Sequence, residues 1–182
     1  MKRKGGVGGG ATPATLALER AGVSFSLHEY AHDPSVTEFG AEAAAVLGVD
    51  PARVFKTLLA SVSGVGLAVA IVPVAGQLDL KALAAALGGK RAAMADPALA
   101  ERKTGYVVGG ISPLGQRTRL PVVLDSAALA WPTVYVSGGR RGLDVSLAPA
   151  DLAAVTGAVL APIGRATRAR SRADSQGDPD PC

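Results

Sequence analysis

The chain has 182 residues, 48% apolar and 19% charged, enough for one domain with a substantial core. Its net charge of +4 sits in its ends: Lys2, Arg3 and Lys4 open the chain without an acid, and four Arg face three Asp from Arg165 onward. Between Thr12 and Gly164 the charges cancel, which excludes a nucleic-acid reading based on net charge alone, and the single cysteine, Cys182, excludes a disulfide framework, a cysteine metal cluster and a prenylation box.

Cysteine usage fits a reducing cytoplasm. Glycines, not an apolar segment, follow the basic start, so no signal peptide is expected. The longest apolar run, Val65 to Ala75, is too short to span a bilayer, and no membrane association is expected. Residues 1–11 read as a flexible, basic, Gly-rich tail. Their near-match to a dinucleotide fingerprint lacks the preceding strand that would give it meaning. Residues 12–165 read as the folded domain. Residues 166–182, rich in Arg, Ser, Asp and Pro, read as a disordered tail.

Thr12-Pro13 starts a helix that Gly22 ends. Val23 to Tyr30 alternates as a strand. After the loop at His32-Asp33-Pro34, Val36, Phe39, Ala43 and Val46 space out a helix closed by Gly48. Val54 to Leu59 reads as a strand, paired through Ser63-Gly64 with Leu67 to Val72. Pro73 to Gly76 breaks that strand. Asp79 caps a helix that Gly88-Gly89 stops, Lys90 to Met94 is a short strand, and Asp96-Pro97 starts another helix. Gly105 to Gly115 reads as a Gly-rich strand and loop. Strands follow at Pro121 to Asp125, Thr133 to Ser137 and Leu143 to Leu147. Pro149 opens a helix, and Ala158 to Ala161 ends the order as a strand. There is no regular βαβ alternation, which predicts an α+β domain with a curved, barrel-like mixed β-sheet flanked by helices.

Lys56 is the anomaly in its strand. An ammonium among aliphatic neighbours needs an anion or water, although a lysine stem can also lie on apolar surface with its head in solvent. The inventory offers little other chemistry. His28 and His32 have no cysteine partner and sit at a strand end, so no metal site is expected. There is no Gly-x-Ser-x-Gly elbow and no Walker loop. No cofactor is expected. What remains is a site of backbone, one lysine and hydrogen-bonding groups. Gly109-Gly110-Ile111-Ser112-Pro113 could aim successive amides at one oxygen, or turn a corner in a curved sheet. Asp144 is unexpected between Leu143 and Val145, and either lines a polar cavity or sits on an edge. Arg140 and Arg141 either grip a phosphate or solvate a turn. Tyr30 and Phe39 either close a pocket or belong to the core.

These pieces occur together in order: "HDP" at His32, "FKTLL" at Phe55, "PVAGQLDLK" at Pro73, "MADP" at Met94, "TGYVVGGISPLGQ" at Thr104 and "YVSGGRRGLD" at Tyr135. From Thr12 to about Ile163 the chain resembles the YbaK/prolyl-tRNA-synthetase-associated editing domain family, most of all its free-standing cysteinyl-tRNA(Pro) deacylase branch. The resemblance implies removal of a wrong amino acid from tRNA by ester cleavage. It implies Lys56 at the tRNA end of the substrate. It places Gly109 and Gly110 as amide donors at the scissile carbonyl, in a loop with Ile111, Ser112 and Pro113. Tyr30, Phe39, Thr57, Ser137 and Asp144 match its pocket. For that branch the implied chemistry is attack by the substrate's own thiol, leaving as a thiolactone. The partners implied are the aminoacylated tRNA end and prolyl-tRNA synthetase. Three alternatives stand beside this reading: water attack on another ester such as alanyl-tRNA(Pro), a non-catalytic module binding tRNA ends or a synthetase, and a small-nucleotide binder.

Overall fold

The computed structural model describes residues 10–166. The basic start through Gly9 and everything from Thr167, with the expectations placed on them, lie outside the described residues. The order is α1 (Pro13–Ala21), β1 (Phe25–Glu29), α2 (Phe39–Leu47), β2 (Phe55–Val62), β3 (Gly66–Pro73), β4 (Gly76–Leu78), α3 (Leu80–Ala86), β5 (Ala92–Met94), α4 (Pro97–Thr104), β6 (Val122–Asp125), β7 (Val134–Arg140), β8 (Leu143–Leu147), α5 (Pro149–Thr156), β9 (Val159–Ala161) and β10 (Gly164–Ala166), with short 3-10 turns at Pro51–Arg53 and Ser126–Ala130. The α+β class holds. The strands form three sheets, ordered β5-β2-β3-β6-β9, β1-β8-β7 and β10-β4. Between the first two, one bridge joins Val54 to Tyr135. Where one curved sheet was expected, the sheet is divided.

Helix starts follow the chemistry of their caps. Thr12 and Thr15 form a capping box, and Asp79 and Asp96 accept from amides of the first turns of α3 and α4; such caps each contribute about 1 kcal/mol. The Thr12 hydroxyl also donates to the Gly138 carbonyl at 2.5 Å, tying α1 to β7.

The structure differs from the sequence reading in three places, two of them for local reasons. First, α2 starts at Phe39 and not Val36. Asp33 accepts from the Ser35 N–H and hydroxyl, and Glu42 reaches back to the Asp33 N–H, so side chains hold the backbone of this segment away from helix. Second, Gly105 to Gly115 forms turns and no strand. Gly105, Gly109 and Gly115 all take positive φ, which interrupts an extended run. Third, β4 and β10, three residues each, pair across the chain where the sequence shows only a break.

The β2–β3 hairpin is buried on both faces. Phe55, Leu59, Val69 and Ile71 enter the main core with Leu18, Leu124, Val136 and Leu152. Ala60, Val62, Ala70 and Val72 pack on the other side against Leu83 and Ala84 of α3. The core is aliphatic, and each fully buried Leu or Ile contributes roughly 1.5–3 kcal/mol.

Candidate active site

A cleft of about 320 Å³ opens along the edge of β2 that faces away from β3. Topology explains its position. On that edge β5 pairs only with Ala60 to Val62, and β7 is joined by backbone pairing only through the isolated bridge at Val54, just before β2. Between these points the strand is left open, and the gap is the cleft. Because alternate residues point to opposite faces, Lys56 approaches from one face of β2 and Thr57 from the other. Both line the cleft. Lys56 is partly buried and, among the described residues, forms no ion pair. The Thr57 hydroxyl is buried and, among the described residues, has no hydrogen-bond partner.

The wall opposite is built from α2 and the Gly-rich loop. Phe39 is held in a stack: the His32 ring lies 5.4 Å from its centroid and the Arg141 guanidinium 5.0 Å. Glu42 fixes the stack from behind by bonding His32 Nδ1 at 2.7 Å. Gly109 passes so close that a Cβ there would lie 2.7 Å from the Phe39 ring. The Gly110 N–H donates to the Val107 carbonyl at 2.9 Å and closes a turn with Gly109 at φ 87°, the pattern of a type II turn.

The third wall is the polar face of β1-β8-β7. Ser137 and Asp144 are direct partners in the β7–β8 ladder and both line the cleft with Tyr30. Asp144 is 6% exposed. Burial pushes its carboxyl up to about 7. The Tyr30 phenol is raised as well, by burial first and then by the charges of Asp144 and Glu42.

The raised Asp144 value sets a sign for stability. The folded chain keeps this proton where the unfolded chain has released it, so the contribution falls as pH rises from about 4 to about 7 and stays lost above. The loss is on the order of 4 kcal/mol at most. Asp144→Asn should therefore gain stability relative to the parent as pH rises. Urea denaturation at pH 4 and pH 8 measures this, and equal pH dependence in the two proteins would refute it.

The model of the aminoacyl-tRNA editing domain matches residues 33–155, which takes in every lining residue of this cleft except Tyr30. The chain belongs to the aminoacyl-tRNA editing domain family. EbsC of Enterococcus faecalis, which carries the name of a Cys-tRNA(Pro)/Cys-tRNA(Cys) deacylase, is 35% identical over 153 residues, 84% of this chain and 92% of that one. Among solved structures, a protein described as a trans-editing enzyme for prolyl tRNA synthetase superposes with a TM-score of 0.74 at 29% identity, over 84% of this chain and 95% of that one. The protein APE2540 superposes with a TM-score of 0.75 at 28% identity, over 85% of this chain and all of that one. The family resemblance read from the motifs holds.

In this editing domain, eight of the eleven residues singled out from sequence line one cleft: Tyr30, Phe39, Lys56, Thr57, Gly109, Ile111, Ser137 and Asp144. Gly110, Ser112 and Pro113 do not line it. The Gly110 amide serves its own turn, and its Cα packs against the backbone of Arg140, where a Cβ would come within 2.9 Å. Ser112 and Pro113 are buried, and the Ser112 hydroxyl accepts from the Leu114 N–H. The two-amide donor expected at Gly109-Gly110 thus has its second amide already engaged, a correction that turn closure explains.

Arg141 makes contacts that neither sequence reading anticipated. It is exposed, bonds the Val108 carbonyl at 3.0 and 2.7 Å and covers Phe39. Arg140 pairs with Glu29 at 3.0 Å. Sequence reasoning did not single out Met94, Val108 or Glu38, which also line the cleft; Met94 and Val108 lie inside the quoted motifs, but an exposed apolar side chain gives no chemical reason to select it from them. Among the described residues no group of three or more His, Cys, Asp or Glu is placed to hold a metal, and no helix is long and apolar enough to cross a membrane.

Proposed function

We propose that the protein is a trans-editing deacylase that cleaves the ester of cysteinyl-tRNA(Pro), with the thiol of the esterified cysteine as nucleophile. The observation that carries this reading is the composition of the cleft. Among the described residues it offers a lysine without an ion pair and an unpaired strand edge, but no histidine or cysteine in its lining. Such a cleft orients and polarises an ester more readily than it attacks one. A cysteinyl ester supplies the missing group, since a thiol of ordinary pKa is a few per cent thiolate at neutral pH.

In the step itself, the thiolate sulfur bonds to the carbonyl carbon, and the bond to the ribose oxygen breaks. The four-membered thiolactone departs, and the tRNA hydroxyl takes up a proton. Lys56 stands where it would stabilise charge on the tRNA end or the developing oxyanion. Gly109 and Ile111 would shape the site on the far side. The name carried by EbsC supports the substrate class, and the described role of the solved relative supports prolyl-tRNA synthetase as a working partner. Activity on aminoacyl-tRNA would place the protein in the cytoplasm.

Asp144 favours a second reading. A buried carboxyl that titrates near neutrality could act as a general base for water, which would suit alanyl-tRNA(Pro). A panel of tRNAs charged with labelled cysteine, alanine or serine separates the two. Thiol attack requires release from the cysteinyl ester and little from the others. Equal release from the alanyl ester would decide for water, and no release from any ester would leave a non-catalytic binding module.

A further inference from the structure

The open stretch of β2 has a definite hydrogen-bonding character, which follows from register. The Val74 N–H donates to the Val54 carbonyl, and Val72 and Ala70 stand opposite Lys56 and Leu58. In an antiparallel ladder each residue turns both backbone groups to the same neighbour, alternating along the strand. Residues 54, 56, 58, 60 and 62 therefore bond β3, and 55, 57, 59 and 61 turn the other way. The bond from the Ala95 N–H to the Leu59 carbonyl, at 2.9 Å on the β5 side, agrees. Thr57 lies at the middle of the gap between the β5 ladder and the Val54 bridge. Its N–H and its carbonyl both face the cleft, where no strand among the described residues pairs with them. Its hydroxyl, also without a partner, lies beside them.

A strand edge inside an apolar cleft is a template for a ligand with the polar spacing of a peptide residue. An aminoacyl ester has that spacing: an α-ammonium donor and a carbonyl acceptor on one carbon. We infer that the main chain of Thr57 pairs with the aminoacyl group as it would with a residue of a neighbouring strand. The α-ammonium donates to the Thr57 carbonyl, and the ester carbonyl accepts from the Thr57 N–H. This rests on the deacylase reading and deepens it. It also supplies an amide for the oxyanion that the engaged Gly110 does not. Directly opposed residues in a ladder project their side chains to the same face, so the substrate side chain would sit on the face of Thr57, away from Lys56. Recognition by main chain reads what all aminoacyl esters share and leaves side-chain choice to the walls.

The test uses the full chain and two esters of the same tRNA, cysteinyl and 3-mercaptopropionyl, which differ only by the α-amino group. Both carry the thiol needed for self-attack. Each kcat/KM is divided by that ester's spontaneous cleavage rate, which removes the electronic effect of the ammonium. Loss of a hydrogen bond to a charged donor predicts a normalised rate roughly ten- to a hundred-fold lower for the desamino ester. Normalised rates within two-fold would overturn the inference while leaving the deacylase reading intact. Cleavage of neither ester would remove both. Thr57→Val and Asp144→Asn add a second readout. Each should lower both rates and preserve the preference for the amino ester, because the strand edge survives. Loss of the preference in either variant would assign the amine to that side chain and overturn the main-chain assignment.

Discussion

Lys56→Ala is expected to lower deacylation of cysteinyl-tRNA(Pro) by at least about a hundred-fold, the range seen when one preorganised donor is removed from developing charge. The fold should survive. Lys56 has no ion-pair partner among the described residues, so truncation leaves no buried charge behind. Its backbone groups remain in the β3 ladder, and only its partly buried stem is lost from packing. Thermal unfolding should therefore shift little while turnover collapses. Single-turnover measurement at saturating enzyme separates a chemical loss from weakened tRNA binding. Lys56→Arg keeps the charge but changes its shape, and should recover only part of the rate. If Lys56→Ala turns over within three-fold of the parent, the lysine does no chemistry and its place in the cleft is incidental.

Lys56 and Asp144 could be read in the sequence for the same reason. Each is the one charged residue of its strand, and the structure sends both to one cleft. Their meeting could not be read, because it depends on β7 bridging to the chain just before β2 at one point only while it continues its ladder with β8. The gap that this divergence leaves has no local signature. The glycines of the loop were legible as conformationally special, but not their separate jobs. Gly109 yields room to Phe39 and Gly110 yields room to Arg140, and both neighbours are distant in sequence. The contacts of Arg141 were not legible because its partners, Phe39 and the Val108 carbonyl, come from two other elements. The hairpin, the caps and most helix ends were legible because they depend on residues within a few positions. The start of α2 failed because Glu42 acts backwards on Asp33, a side-chain bond that apolar periodicity does not report.

Gly109→Ala is expected to cost both stability and turnover, and the two losses can be separated. Positive φ at this position, 87°, penalises any L side chain by about 1–2 kcal/mol. A Cβ would also stand 2.7 Å from Cε1 and Cζ of Phe39. That ring cannot step aside cheaply, since His32 and Arg141 pack against it and Glu42 anchors His32. Either the ring moves into the cleft or the loop retreats from it. A displacement near 1 Å at a wall of the site lowers turnover by up to about a hundred-fold. Gly105→Ala is the control. It also sits at positive φ, 80°, but its Cβ would meet only the Arg117 side chain at an ordinary 3.5 Å. Both variants carry the backbone penalty, and Gly109→Ala alone carries the collision. Stability from urea unfolding should fall in both, whereas kcat for cysteinyl-tRNA(Pro) should fall at least ten-fold further in Gly109→Ala. Equal kcat in the two variants would mean that the Phe39 wall does not position the ester, and the cleft would then have to act through Lys56 and the β2 edge alone.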